Sequence, residues 1–295
     1  MAFSHILMGA SDQAAEPTVR SIAPVDLVDA LKKGWDDFAA MPSHAVFLCV
    51  IYPAVGILAA AMTLGFAFMP LLFPAAAGFA LIGPFAALGL YELSRRREAG
   101  LEVSAADAFE VLRSPSIGAI VALGLVLAAI FLTWMATANA IYTTYFGYGS
   151  PESISQFAHD LFFTREGWSL IVVGNIVGLL FAIAAYVVSA VSFPLLLDHD
   201  VGATGAVMTS LRVIVQNPLT MALWGLIIAA LLVIGMIPLF VGLAVVLPVL
   251  GHATWHVYRK GVVADQCPRA DFRPRPAGKH SVADFPVSLF KRTED

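Results

Sequence analysis

The chain has 295 residues, 59% of them hydrophobic and 13% charged, with a formal net charge of −4. Soluble domains carry about 25% charged residues, and so little charge could not cover the surface that this much apolar side chain would make. The composition excludes a soluble globular protein, and with no basic, aromatic-interleaved patch it excludes a nucleic-acid binder too.

Residues 1–20 are small and polar and are expected to be a flexible N-terminus. They lack a basic start, and "HILMGA" is too short for the apolar core of a cleavable signal. The first span is therefore expected to act as the insertion signal. Next comes "APVDLVDALKKGWDDFAAMP". Leu27, Val28, Leu31, Trp35 and Phe38 fall at helical spacing on one face, with Asp26, Asp29, Lys32, Lys33, Asp36 and Asp37 on the other. Pro24 suits a first helical turn. Too short and too charged to span, this helix is expected to lie in the membrane interface.

A spanning helix needs about 20 mostly apolar residues. Six stretches qualify, at about 44–68, 71–93, 117–141, 169–197, 219–236 and 238–258. Pro70 and Pro74 separate the first pair, and Ile237-Pro238 separates the last. Before the third span "SAADAFEVLRSP" opens with Ser104 and Asp107 in a capping-box spacing. Before the fifth, "TGAVMTSLRVIVQNP" opens with Thr204. Aligning Pro42, Pro115 and Pro218 superposes the three pre-span helices, each ended by the residue before its proline. The resulting expectation is three repeat units, about 24–96, 104–197 and 204–260, within a transmembrane domain of 21–260. The fold class is thus all-α: about six transmembrane helices in three hairpins, each preceded by a cytoplasmic interfacial amphipathic helix. Trp35, Phe38, Leu211 and Ile214 are the expected interface anchors.

The 142–168 segment is rich in Tyr, Phe and Trp, as an outer interfacial belt would be, and a second interfacial helix is expected from Ser150-Pro151-Glu152. Asn139 and Asn175 come to similar depths and suggest an interhelical hydrogen bond, and Gly174 and Gly178 suggest close helix packing. Residues 261–295 are expected to form a mostly disordered cytoplasmic tail. Sixteen Lys and Arg side chains fall on the side of both termini and Arg165 alone on the other, which sets the termini in the cytoplasm. Cys49 in a span and Cys267 in the tail predict no disulfide.

Ionisable groups inside a membrane point to function, because they are costly to keep there. Here they gather at the cytoplasmic ends of the spans. "PVLGHATWHVYRK" sets His252 and His256 at i and i+4, ~10 Å and ~4.5 Å inside Arg259 at 1.5 Å per residue. Glu92 reaches a similar depth. Two such imidazoles and a carboxylate could hold a metal ion, or the pair could flank a haem. The competing reading is interfacial anchoring, with Glu92 paired to Arg95 or Arg96 on its own helix. No phosphate loop, HExxH, GxSxG or CxxC is present, which weighs against an enzyme.

At "IGPFAALGLYELSRRREAG" and "PVLGHATWHVYRKGVV" the chain resembles a family of bacterial integral membrane proteins known as domain of unknown function 2189, over roughly residues 24–263. The resemblance implies an inner-membrane location and no established activity. Some members carry a cytochrome c oxidase label, to which this sequence lends little: a haem-copper subunit needs buried histidines on several helices, and only His252 and His256 lie clearly within a span. The leading expectation is a non-catalytic membrane organiser or assembly factor, in contact with the bilayer and with other membrane proteins or a second copy of itself. The alternatives are a transporter or channel between the hairpins, and a metal- or haem-binding redox protein.

Overall fold

A computed structural model describes residues 6–8, 16–41, 70–149, 151–237 and 241–270. The first expected span and Cys49 lie outside the described residues. After the short strand β1 (Thr18–Val19), helix α1 covers Pro24–Ala40. It starts at Pro24 because proline needs no hydrogen-bond partner in the first turn, and the Asp26 carboxylate accepts the Ala23 N–H at 2.9 Å. Met41, extended ahead of Pro42, ends it.

Helices α2 (Leu72–Ala86) and α3 (Leu88–Glu98) replace the expected single span 71–93. The two are separated by a single turn residue, Ala87, three positions after Pro84, which has no N–H to give the helix. A 3-10 helix, Ala105–Arg113, follows, opened by the Ser104 N–H donating to Asp107 Oδ2 at 2.8 Å. Then come α4 (Ile117–Phe146), α5 (Ile154–Phe163), α6 (Arg165–Ser189) and α7 (Ser192–Asp198). The chain continues through α8 (Gly202–Gln216), α9 (Pro218–Met236), α10 (Leu243–Gly261) and strand β2 (Val262–Val263).

Among the described residues, three segments are long and apolar enough to cross a membrane: Ile117–Phe146, Arg165–Asp198 and Pro218–Met236. The expected sixth span corresponds to α10, shifted to start at Leu243 and end at Gly261. Its second half carries His252, His256, Arg259 and Lys260, so it is less apolar than the other three. The pre-span elements also differ from one another. They are a 17-residue α-helix, a nine-residue 3-10 helix and a 15-residue α-helix.

The core lies at the end of the molecule where α1, α3, α7, α8 and α10 meet. Phe193, Leu195, Leu196 and Leu197 of α7 are fully buried there, with Trp224, Trp255, Tyr91 and Tyr258 around them. Helices α1 and α10 cross in intimate contact. A Cβ on Gly34 would stand 2.7 Å from the Ala253 nitrogen and 2.8 Å from the Val249 carbonyl, so glycine is required at the crossing. The face α1 buries is Leu27, Ala30, Gly34 and Asp37.

Both ends of the described chain are tied to this base. Strand β1 pairs antiparallel with β2, and the Arg20 N–H donates to the Gly261 carbonyl at 2.9 Å. Asn217, just before Pro218, accepts the Ile22 N–H at 2.7 Å and donates to the Arg20 carbonyl at 3.1 Å. Thr220 adds a bond to the Ile22 carbonyl at 2.9 Å. Residues 262–270 differ from the disordered tail expected from 261. Asp200 N–H donates to Pro268, Ala270 N–H donates to Asp198, and Cys267 is buried. Backbone bonds hold this segment where its composition gives no hydrophobic periodicity to reveal it.

At the opposite end, Ser153 caps α5 by accepting the Gln156 N–H, three residues after the expected start. Thr164 caps α6, and Gly167 makes the corner possible, since a Cβ there would lie 2.2 Å from the Asp160 carbonyl. Asn175 does not bridge helices: its amide turns back to the Ile171 carbonyl at 2.7 Å, satisfied within its own turn. Of the two glycines in α6, Gly178 faces Trp134 of α4 and Gly174 faces open space.

A buried polar clasp as the candidate functional site

The second half of α10, "HATWHVYRK", is the hub of the polar end. Its helical register points successive side chains at different neighbours, and almost every polar one finds a partner on another element. Asp37 of α1 is the centre of one cluster. Its Oδ2 accepts from Ser94 Oγ of α3 at 2.6 Å and from His256 Nε2 at 2.8 Å. Its Oδ1 accepts from Arg97 at 2.6 Å. Ser94 Oγ also meets His252 Nδ1 at 2.8 Å. The Ser94 hydroxyl has one proton and gives it to Asp37, so Nδ1 of His252 is the donor in that pair. Three helices are thereby joined through groups that are all within a few per cent of full burial or hold a charge partner.

Burial acts to raise the Asp37 pKa, but hydrogen bonds from His256 and Ser94 outweigh it and hold the carboxyl below its ordinary value. A second cluster runs from α3 through α10 to α7. Glu98 accepts from Trp255 Nε1 at 2.9 Å and Arg259 Nε at 3.0 Å. Asp198 accepts from the Tyr258 hydroxyl at 2.9 Å and lies 3.5 Å from Arg259. Lys260 bridges Asp26 and Asp29 of α1 at 3.2 and 2.8 Å.

Glu92 belongs to a separate group. It is fully buried and takes a bidentate pair of bonds from Arg95 at 2.7 and 2.8 Å, with Arg96 at 3.9 Å. Arg96 reaches on to Glu110 at 3.2 Å and Asp107 at 3.6 Å of the 3-10 helix. Of the three candidate metal ligands, His252 and His256 do share a face of α10 through Ser94 and Asp37, whereas Glu92 is engaged by its own arginines. Among the described residues no three His, Cys, Asp or Glu side chains are placed to hold a metal ion.

Of the interface anchors expected from sequence, Trp35 is 53% and Leu211 37% exposed. Phe38 and Ile214 are half-buried, Ile214 against the main core. Asp37 lay on the polar face in the sequence reading and proves to be the most connected carboxylate on α1. Ser94, Arg97 and Asn217 were not singled out either. Gly34, the one glycine of α1 and three positions before Asp37, is the sequence signal for a contact face that includes Asp37.

Residues 72–198 match the model of a family described as predicted integral membrane protein, domain of unknown function 2189. The match contains "IGPFAALGLYELSRRREAG", hence α3 with Glu92, Ser94 and Arg97, and it stops before α10 and "PVLGHATWHVYRKGVV". No curated protein and no solved structure matches the chain.

Proposed function

We propose that the protein is a non-catalytic organiser or assembly factor of the bacterial inner membrane, with a rigid base on the cytoplasmic side and spans that present their flanks to neighbours. One observation carries the reading. In the Arg165–Asp198 segment only 6% of the most apolar stretch is buried, while the base engages its buried carboxylates and histidines with partners of its own. A base that spends its polar groups on holding α1, α3, α7 and α10 together is built for shape. Spans with large uncovered apolar faces are built for contact with lipid or with other helices.

The excess of Lys and Arg at the end carrying both termini supports the cytoplasmic placement. The six-span, three-hairpin arrangement remains part of the same reading. Its support is the apolar length of 44–68 and of α10 together with the proline that precedes each hairpin.

Purification of the full chain from native membranes after photo-crosslinking at Ile176 and Leu180, both exposed on α6, tests the proposal. Reproducible crosslinks to membrane proteins or to a second copy are expected. Lipid adducts alone would overturn the organising role. Stoichiometric metal or haem in the same preparation would favour a redox role through His252 and His256 instead.

A further inference from the structure

The base is put together by one hand-over, made three times. The 3-10 helix, which precedes α4, packs on α3, where a Cβ on Gly89 would stand 3.0 Å from that of Ala108. Helix α8, which precedes α9, packs on α6 and α7, and its Ser210 hydroxyl accepts the Val191 N–H at 3.3 Å. Helix α1 packs on α10. Each pre-span element thus sits on the returning helix of the unit before it, and α1, the first in the chain, sits on the last. The returning helices α3, α7 and α10 touch one another in the middle. Three units joined head to tail in this way close into a ring.

The spans follow the same rule. Helix α4 lies against α2 of the unit before, with Phe131 over Gly78, Phe85 over Gly124, and Trp134 Nε1 donating to the Pro74 carbonyl at 2.9 Å. Helix α9 meets α6 of the unit before, where the Tyr186 hydroxyl donates to the Met221 carbonyl at 2.8 Å. The third place in the ring is the flank of α10, and its outer part is bare. Val241, Val245 and Val249 recur every four residues along one side, counted from the residue just ahead of the helix. Helix α1 covers Val249 at Gly34, whereas Val245 is 39% and Val241 63% exposed. Helix α1 also climbs α10 towards them. Its Asp26 and Asp29 meet Lys260 at the end of α10, and Gly34 meets Val249.

We propose that the side of α10 marked by Val241 and Val245 is the seat of this chain's own first span, residues 44–68, which closes the ring among the spans as α1 closes it in the base. The chain leaves α1 at Met41, buried with Leu93 and Ala108, and returns to the described residues at Pro70, ahead of α2. The residues between number about 28, roughly 42 Å at 1.5 Å per helical residue, and α2 with α3 runs back over about the same length. The occupant is this segment and not a second copy, because it follows directly from the helix that already covers the same side of α10. The inference rests on the six-span reading above. It removes the flank of α10 from the surface open to partners and leaves that of α6.

The test uses the full chain with Cys267→Ala and Val245→Cys, and one cysteine at a time in the first span: Phe47→Cys, Leu48→Cys or Val50→Cys with Cys49→Ala, or the native Cys49. Four consecutive positions at about 100° each cover every side of a helix. A short bis-maleimide is added in membranes, and crosslinked peptides are read by mass spectrometry from the monomer band. At least one of the four is expected to join Val245→Cys, and that crosslink is expected to be lost when Leu180→Cys on α6 replaces Val245→Cys. No crosslink to Val245→Cys from any of the four would overturn the seat, as would equal crosslinking to Leu180→Cys. Crosslinks found only between two chains would assign the seat to a second copy and overturn it too. Labelling of the native Cys49 in the Cys267→Ala chain by a membrane-impermeant maleimide would instead overturn the span on which the inference rests.

Discussion

The base and the spans solve opposite problems with the same helices. In the base, α7 is buried on every side and α1 touches α10 backbone to backbone at Gly34. In the spans, α6 leaves Val172, Ile176, Leu179, Leu180 and Ile183 uncovered, and its Gly174 faces open space. The base gains specificity from charges and hydrogen bonds that only one arrangement satisfies. The spans gain their stability from lipid, which accepts any apolar side chain. The comparison teaches that uniqueness resides in the polar end, and a series of substitutions can break or sharpen it.

The largest effect is expected at Asp37. Asp37→Ala would leave Arg97, His256 and Ser94 without their shared acceptor, and breaking a buried pair costs about 3–5 kcal/mol. The thermal midpoint in detergent should fall sharply, and a midpoint equal to the parent's would show that the clasp does not hold the base. The same residue gives a pH dependence. Because its folded pKa is depressed, its contribution is full above the unfolded value of about 3.9 and is lost as pH falls through the folded one. Asp37→Asn should therefore flatten the acid limb of a stability–pH profile while lowering stability at neutral pH.

Gly34→Ala comes next. The added methyl meets backbone atoms at 2.7 and 2.8 Å that cannot rotate away, so a cost at the upper end of about 1–3 kcal/mol is expected. A disulfide-crosslinking pair placed across α1 and α10 should form more slowly in that variant. Asn217→Ala should cost about 1–2 kcal/mol by stranding the Ile22 N–H, and limited proteolysis should then cut near residue 20 faster. Ile176→Ala, on the uncovered flank of α6, should change stability by no more than about 0.5 kcal/mol. A loss comparable to that of Asn217→Ala would mean that the spans are specifically packed and would erase the contrast.

Much of the local structure was legible in advance. Pro24 begins α1, Ser104 and Asp107 open the 3-10 helix, and α9 ends at Met236, just ahead of Ile237-Pro238. These features depend on a few neighbouring residues and their backbone preferences. The pairing of Glu92 with Arg95 and Arg96 was legible for the same reason, since i,i+3 and i,i+4 neighbours are fixed by the helix itself. The partners of Asp37, Ser94 and Trp255 were not, because each lies 57 to 219 positions away along the chain.

The sequence by itself determined that this is a membrane protein, where its long apolar helices run and at which end its charges gather. Composition and periodicity carry that information, and burial of apolar surface does not ask which neighbour covers it. Only the tertiary structure decided which side of α1 faces the protein. Its apolar face runs from Leu27 through Leu31 to Trp35 and Val28, and a glycine that lets α10 approach, with a carboxylate whose hydrogen bonds are made on that side, turns the Leu27 edge inward and leaves Trp35 and Val28 exposed.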